Sequence, residues 1–309
     1  MNPAVHVMET PRGRPQTGRM VSTTSSSAVA PVLVTGATGK TGTRVTRGLE
    51  ARGLPVRAAS RTGAVPFSWE DRSTWGAALA GAGAVSIAYA PDLAVPGAAE
   101  TVAALASAAT DAGVRRIVLV AGRGEEEARR AEQLVRAVAP HATVVRAAFF
   151  MQNFSESVFA ESLVDGELAL PVGDVPEPFV DAEDVAAAMV AGLAEPGHEA
   201  RTYEVTGPRM LTFADAVAEI AAATGRDVRY ASVPAADYAA ALAGAGLPAG
   251  VADLLMYLFT EVLDGRNARL TDGVQQALGR PPRDFAAYAA DAARAGAWDV
   301  EARVRRSPR

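Results

Sequence analysis

The sequence predicts an α/β fold, a doubly wound and mostly parallel sheet followed by a smaller, mainly helical lobe. Three observations carry this. Short apolar runs without polar alternation are separated by helical stretches of roughly 10–15 residues, the pattern of βαβ units whose strands are covered on both faces. The first run joins its helix through a loop with glycine at every third position, Gly36, Gly39 and Gly42. From about residue 150 the alternation gives way to helix-rich sequence with isolated strand-like runs.

Residues 30–150 contain the regular part. A strand over 31–35 (PVLVT) leads into a helix over 39–53, ended by Gly53. A strand over 55–60 follows, then a helix over 73–82 and a strand over 84–90. An alanine-rich helix over 97–113 precedes the strand RRIVLVA at 115–121, and a helix over 125–139 precedes TVVRAAFF at 143–150.

Residues 151–300 are expected to form most of a substrate lobe, while a strand near 201–207 (RTYEVTG) completes the sheet. ELALPVG at 167–173 reads as a strand near the surface. Asp181 is placed to cap a helix whose first turn holds Asp184 and whose stop is Pro196-Gly197. Thr212 and Asp215 repeat that logic for the helix over 211–226. Val251, Leu254, Leu255, Leu258, Phe259 and Val262 recur at helical spacing and predict one apolar face.

Residues 1–29 mix Pro, Gly, Ser, Thr and Arg without apolar periodicity and read as a disordered leader. A transit peptide, or a start at Met8 or Met20, is the alternative; residues 301–309 read as a solvated tail. The net charge of −5 gives no reason to expect nucleic acid or an anionic membrane, and no apolar run reaches the roughly 18 residues of a membrane span. With no cysteine there is no disulfide, thiolate metal site or cysteine nucleophile, which fits a cytoplasmic protein. His6, His141 and His198 are too scattered for a local metal-ligand spacing, so no metal is expected. Lys40 is the single lysine among 30 basic residues.

The GKT at 39–41 suggests a triphosphatase loop, but G-x-x-x-x-G-K-[ST] requires glycine at position 34, which is Val34. The G-x-x-G-x-x-G spacing between strand and helix instead suits a dinucleotide. One glycine makes the turn, one lets the diphosphate approach, and one packs helix on strand. Lys40 and Thr41 are expected as added phosphate contacts, with Thr38 among the cofactor-binding residues. An acidic residue at the end of the second strand would hold the ribose diol of NAD; Ser60 and Arg61 stand there, a hydroxyl and a guanidinium suited to a 2′-phosphate. The expected cofactor is therefore NADP(H).

VTGATGKTG, ASR, AYAP, RRIVLVAGRGEE and FFMQNFSE, in this order, resemble the NmrA-like, atypical short-chain dehydrogenase/reductase family over about residues 32–300. The GKTG, FSWED and FMQNFSE segments are most similar to its agroclavine and festuclavine dehydrogenase branch, which reduces iminium intermediates. The resemblance implies a seven-stranded Rossmann-like sheet and a smaller substrate lobe. It implies that Ser68 and Trp69 lie near the adenine, and that Tyr89 and Pro91 lie beside the cofactor. Ala121 and Gly122 would follow strand five, and Phe149 would line the nicotinamide side. Ala147 stands where the family often has proline.

The usual short-chain dehydrogenase relay needs Tyr-x-x-x-Lys, and this chain cannot supply it, because its one lysine lies in the glycine loop. Gly124 and Ala128 occupy the corresponding positions, and Ala121 stands where serine is frequent. An iminium, conjugated enone or quinone can accept hydride without that pair, the protein supplying position and a dry wall. Phe149, Phe150, Met151, Met256, Tyr257 and Phe259 are wall candidates, with core packing as the alternative for each. Asn153 would orient substrate or cap the helix over 153–163, and Arg123 would hold a substrate anion or pair with Glu125–Glu127. Tyr89 is the candidate proton donor. The functional expectation is an NADPH-dependent reductase of a small activated substrate. Its alternatives are a non-catalytic NADP(H) sensor and an isomerase or cyclase on the same scaffold.

Overall fold

The computed structural model describes Met1 and residues 29–247 and 249–299, so the leader and tail expectations lie outside the described residues. In chain order the strands are β1 (Val32–Val34), β2 (Val56–Ser60), β3 (Val65–Pro66), β4 (Ala84–Ile87), β5 (Arg116–Gly122), β6 (Thr143–Ala147), β7 (Glu167–Leu170), β8 (Thr202–Val205) and β9 (Arg229–Ser232). The helices are α1 (Lys40–Glu50), α2 (Trp75–Leu79), α3 (Ala98–Asp111), α4 (Glu126–Val138), α5 (Val158–Asp165), α6 (Ala182–Ala194), α7 (Phe213–Thr224), α8 (Ala235–Gly244), α9 (Ala249–Tyr257), α10 (Gly273–Leu278) and α11 (Phe285–Arg294).

Seven strands form one Rossmann-like sheet in the order β3-β2-β1-β4-β5-β6-β8, and every neighbouring pair is parallel. The chain winds outward from β1 to β3 and returns to β4 on the other side of β1. The crevice at that reversal is where such sheets bind ligands. Both faces are covered. Leu33, Val85, Ile87, Ile117 and Leu119 pack under α2, α3 and α4, while Val32, Val34, Val118 and Val145 pack under α1, α6 and α10. Consecutive strand residues thus enter opposite cores, which explains the missing polar alternation.

β7 and β9 pair with each other in a separate two-stranded sheet. β3 and β9 are absent from the sequence expectations. β3 is two residues long, and in β9 no residue is fully buried, so neither carries a clear apolar pattern. The lobe closes around a third core rich in aromatics, including Phe154, Phe179, Phe213, Phe285 and Trp298. Asp181 caps α6 by accepting from Glu183 N at 2.8 Å, and Thr212 and Asp215 form a reciprocal capping box on α7. Of the predicted apolar face over 251–262, only Phe259 and Val262 are buried. The helix changes there to a π-helical turn over Leu258–Val262, which breaks the 3.6-residue register.

Among the described residues, no helix is long and apolar enough to cross a membrane, and no cluster of potential metal ligands occurs.

Candidate active site

A cavity of about 470 Å³ runs over the carboxyl ends of β1, β4, β5 and β6. At one end stands the glycine loop. Gly36 has φ +60°, and a Cβ there would lie 3.0 Å from Ala88 O. A Cβ on Gly42 would lie 2.1 Å from Gly36 O, so only glycine lets α1 start this close to the turn. Thr35, fully buried, ties the crevice together by donating to Ser86 O at 3.1 Å and accepting from Ala88 N at 3.0 Å. Gly39 is the N-cap of α1, which has no capping side chain and no acidic residue in its first turn. Its first N–H groups and partial positive charge are therefore free for an anion. A dinucleotide diphosphate fits this cradle, with Gly36, Thr38, Gly39, Lys40, Thr41 and Gly42 as its lining.

Lys40 Nζ donates to Asn153 Oδ1 at 2.9 Å. Burial lowers the pKa of its ammonium, with Glu156 acting in the opposite sense. Asn153 is not the helix cap, because Ser157 caps α5 by accepting from Phe159 N at 3.2 Å. Asn153 instead lines the cavity and links the loop to the turn over Met151–Asn153. Gln152, fully buried, fixes that turn by donating to Asp181 Oδ1 at 2.7 Å and accepting from Ala182 N at 2.8 Å.

Ser60 ends β2, and Arg61 follows it, exposed at the surface. Neither lines the 470 Å³ cavity. Ser68 donates to Glu70 at 2.6 Å, and Trp69 is buried with its ring 4.8 Å from that of Tyr89. This aromatic shelf adjoins the cavity at Tyr89.

Tyr89, Pro91, Ala121, Gly122, Phe149 and Phe150 all line the cavity. Phe149 is half-buried and abuts the lobe core, 5.6 Å from the Phe213 ring and 6.3 Å from the Phe259 ring. Burial, with a smaller contribution from Glu70, pushes the Tyr89 phenol above its ordinary pKa. No lysine pulls it down.

Arg123 is almost fully buried and lines the same cavity. It pairs with Glu204 at 2.6 Å and donates to Asn267 O at 2.6 Å, not with the glutamates at 125–127. The side chain crosses toward β8, so partners distant in sequence take the place of adjacent ones. Its Nη2 is buried without a hydrogen-bond partner among the described residues. Asn267 Nδ2 returns a bond to Arg123 O at 3.0 Å and locks the β5–α4 loop against residues 265–267.

Met151 is fully buried in the lobe core, where packing and not contact with the cavity occupies it. Tyr257 lines a separate groove of about 900 Å³ between α4 and α9, and Met256 lines neither space. Leu258, Val262 and Leu263 supply the apolar wall from that segment instead. The π turn accounts for this, because it rotates residues after Tyr257 relative to a regular helix.

Three carboxyl groups in the cavity lining were not anticipated as site residues: Asp92, Glu125 and Glu177. Glu177 is 2 % exposed and accepts from Phe149 N at 3.2 Å. Burial raises its pKa to about 7, against the Phe149 N–H and the Arg123 charge. Burial, and then the Asp92 carboxylate, hold Glu125 well above the usual carboxyl range, and burial also raises Asp92. The sequence offered little sign of Glu177, since it stands in a loop of the half that lacks alternation.

The NmrA-like family model matches residues 30–276. An NAD(P)H azoreductase of Xenophilus azovorans is 33 % identical over 277 residues, covering 84 % of this chain and 96 % of that protein. A (4-alkanoyl-5-oxo-2,5-dihydrofuran-3-yl)methyl phosphate reductase of Streptomyces griseus is 34 % identical, covering 85 % and 98 %. Agroclavine dehydrogenase of Claviceps fusiformis is 25 % identical, covering 84 % and 96 %.

Proposed function

Because the chain belongs to the NmrA-like family, we propose that it is an NADPH-dependent reductase of a small activated substrate, an enone, quinone, azo compound or iminium. The observation that carries this is the continuity of one cavity. It joins an uncapped, glycine-lined helix start to an apolar wall of Phe149, Phe150, Leu258, Val262 and Leu263. When bound, NADPH supplies the hydride. The chain holds its diphosphate at Gly36–Gly42, and Arg61 with Ser60 receives the 2′-phosphate from the end of β2. Tyr89, Pro91, Ala121 and Gly122 flank the reacting end, and the wall keeps water from it. Relatives whose names give an azoreductase and a dihydrofuranone reductase, each about a third identical, support the reaction type.

One observation favours a second reading. The sole lysine is tied to Asn153 in the glycine loop, and the Tyr89 phenol is pushed up, so the usual relay is missing. A protein that binds NADP(H) and reports its redox state without turnover would look the same. Purified protein mixed with NADPH and a panel of quinones, enones, azo dyes and cyclic imines separates the two by absorbance. Oxidation of NADPH with at least one class is expected. Tight binding with no oxidation across the panel selects the sensor.

A further inference from the structure

We propose that Glu125, with Asp92 beside it, is the acid that delivers the proton accompanying hydride, in place of the absent tyrosine–lysine pair. This rests on the reductase reading above, and it narrows the substrate to one that gains a proton as well as a hydride.

The placement comes first. Glu125 precedes α4 at the carboxyl end of β5, where ligands lie in a sheet of this order. It is only 9 % exposed, and it lines the cavity. Its carboxyl group occupies the space that a side chain at Gly122 would fill: a Cβ there would lie 1.8 Å from Oε1. Gly122 is therefore the gap through which the carboxyl reaches the strand end. Glu125 Oε2 is shut off from solvent and has no hydrogen-bond partner among the described residues. An ionised carboxylate left so is costly, whereas a protonated one is tolerable and still lacks an acceptor for its proton. A substrate heteroatom seated at the Gly122 gap, which the carboxyl group can turn to meet, would be that acceptor.

The charges around it act in the same sense. Asp92, from the segment between β4 and α3, lines the same cavity and disfavours a second negative charge. Glu126 and Glu127 follow on its own helix, where Glu127 pairs with Arg130 at 3.4 Å. From α9, the Tyr257 hydroxyl accepts from Glu126 N at 3.4 Å. Arg123, the adjacent cation, is spent on Glu204 and Asn267 O. Glu177 lies across the cavity lining, and the Arg123 charge acts on it. Arg123 Nη2, buried and unpartnered, remains to hold a substrate oxygen as charge builds there.

The step balances without another reactant. Hydride adds to one atom of a C=C–C=O, quinone or N=N unit. The Glu125 O–H bond breaks, and its proton bonds to the conjugate oxygen or nitrogen. The substrate gains two electrons and two hydrogens in all, NADPH becomes NADP⁺, and Glu125 is left as a carboxylate. Water restores the proton from the side of half-buried Asp92. An iminium, which needs no proton, does not call on Glu125.

The test uses the whole protein with Glu125→Gln and Asp92→Asn. In cofactor-free protein at neutral pH, infrared difference spectra should show a protonated carboxyl C=O component, beside that of Glu177, that Glu125→Gln removes. Asp92→Asn should lower its titration midpoint. Glu125→Gln should bind NADPH as wild type does, which establishes its fold. It should reduce a quinone or enone about 100-fold more slowly, as expected for loss of a positioned acid. Its rate should lose the decline with rising pH that wild type shows as the acid ionises. A wild type that turns over beside a Gln variant of equal rate and pH profile overturns the donor role alone, as does a Glu125 found ionised at neutral pH. A wild type that binds NADPH and oxidises it with none of the panel overturns the reductase reading, and the donor role falls with it.

Discussion

The β1–α1 loop and the β5–α4 loop both stand at carboxyl ends of strands in one sheet, yet they are built in opposite ways. The first is a backbone site: Thr38 and Gly39 are exposed, and its chemistry lies in N–H groups that no side chain caps. The second is a side-chain site. Arg123, Glu125 and Glu177 are all nearly or fully buried, and each is held by partners or charges from other segments. The comparison teaches that one cavity can bind through main-chain geometry at one end and act through desolvated carboxyl groups at the other. Substitutions at the two ends should therefore fail differently.

The largest effect is expected at the backbone end. In Gly42→Val the new Cβ would lie 2.1 Å from Gly36 O and 2.8 Å from Ala37 Cα. Loop and helix must separate, at a cost of about 1–3 kcal/mol in stability. NADPH and NADH affinity should both fall by at least about 100-fold, roughly 3 kcal/mol. Calorimetric titration checks this, and affinity retained within about threefold would show that the diphosphate does not depend on the close approach.

The two loops were also unequally legible in the sequence. Gly36, Gly39 and Gly42 fall within seven consecutive positions between a strand and a helix, so spacing and local context together pointed to the turn and its ligand class. The parallel sheet was legible for the same reason, since each βαβ unit is local. Arg123 finds Glu204 81 positions away and Asn267 144 away, and no pattern within a window reports such a pairing. Asp92 and Glu177 carry no local pattern that marks them; only the fold brings them into the cavity lining. The apolar face over 251–262 misled because Val251, Leu254 and Leu255, on α9 before the π turn, are only half-buried, whereas Phe259 and Val262 within the turn enter the core.

The next effect belongs to the side-chain end and to pH. With its pKa raised to about 7, Glu177 keeps its proton in the folded state where the unfolded chain has released it. Stability should then be full at acid pH, fall as pH rises from the ordinary carboxyl value of 4.5 through about 7, and level off above. The span is up to about 3 kcal/mol at 1.36 kcal/mol per pH unit. Glu177→Gln should flatten this fall and be more stable than wild type at pH 8. Glu125 contributes in the same direction, so some slope remains. Denaturant melts at pH 5 and pH 8 decide it; parallel behaviour of the two proteins would mean that Glu177 is ionised in the fold.

A smaller, selective effect returns to the cofactor. Arg61→Ala removes an exposed guanidinium beyond β2. NADPH affinity should drop about tenfold, the lower range for a charged hydrogen bond, with NADH unchanged. Equal losses for both would remove the 2′-phosphate assignment and leave the diphosphate site intact.

The smallest effect tests a contact between the glycine loop and the turn over Met151–Asn153. Lys40 is the only lysine, and its 2.9 Å bond to Asn153 ties the glycine loop to the turn beneath the Phe149–Phe150 wall. Asn153→Ala leaves the half-buried ammonium with Glu156 as the neighbour that favours its charge. Because Lys40 is only half-buried, water replaces much of the lost bond, and the loss should stay below about 1 kcal/mol. NADPH and NADH should therefore weaken together, by about threefold, with the maximal rate unaltered. That outcome assigns Asn153 to the backbone end, as a tether for Lys40. A fall in maximal rate at unchanged cofactor affinity would move it to the other end, among the groups that meet substrate, and the division between binding and acting would then run through Asn153 itself.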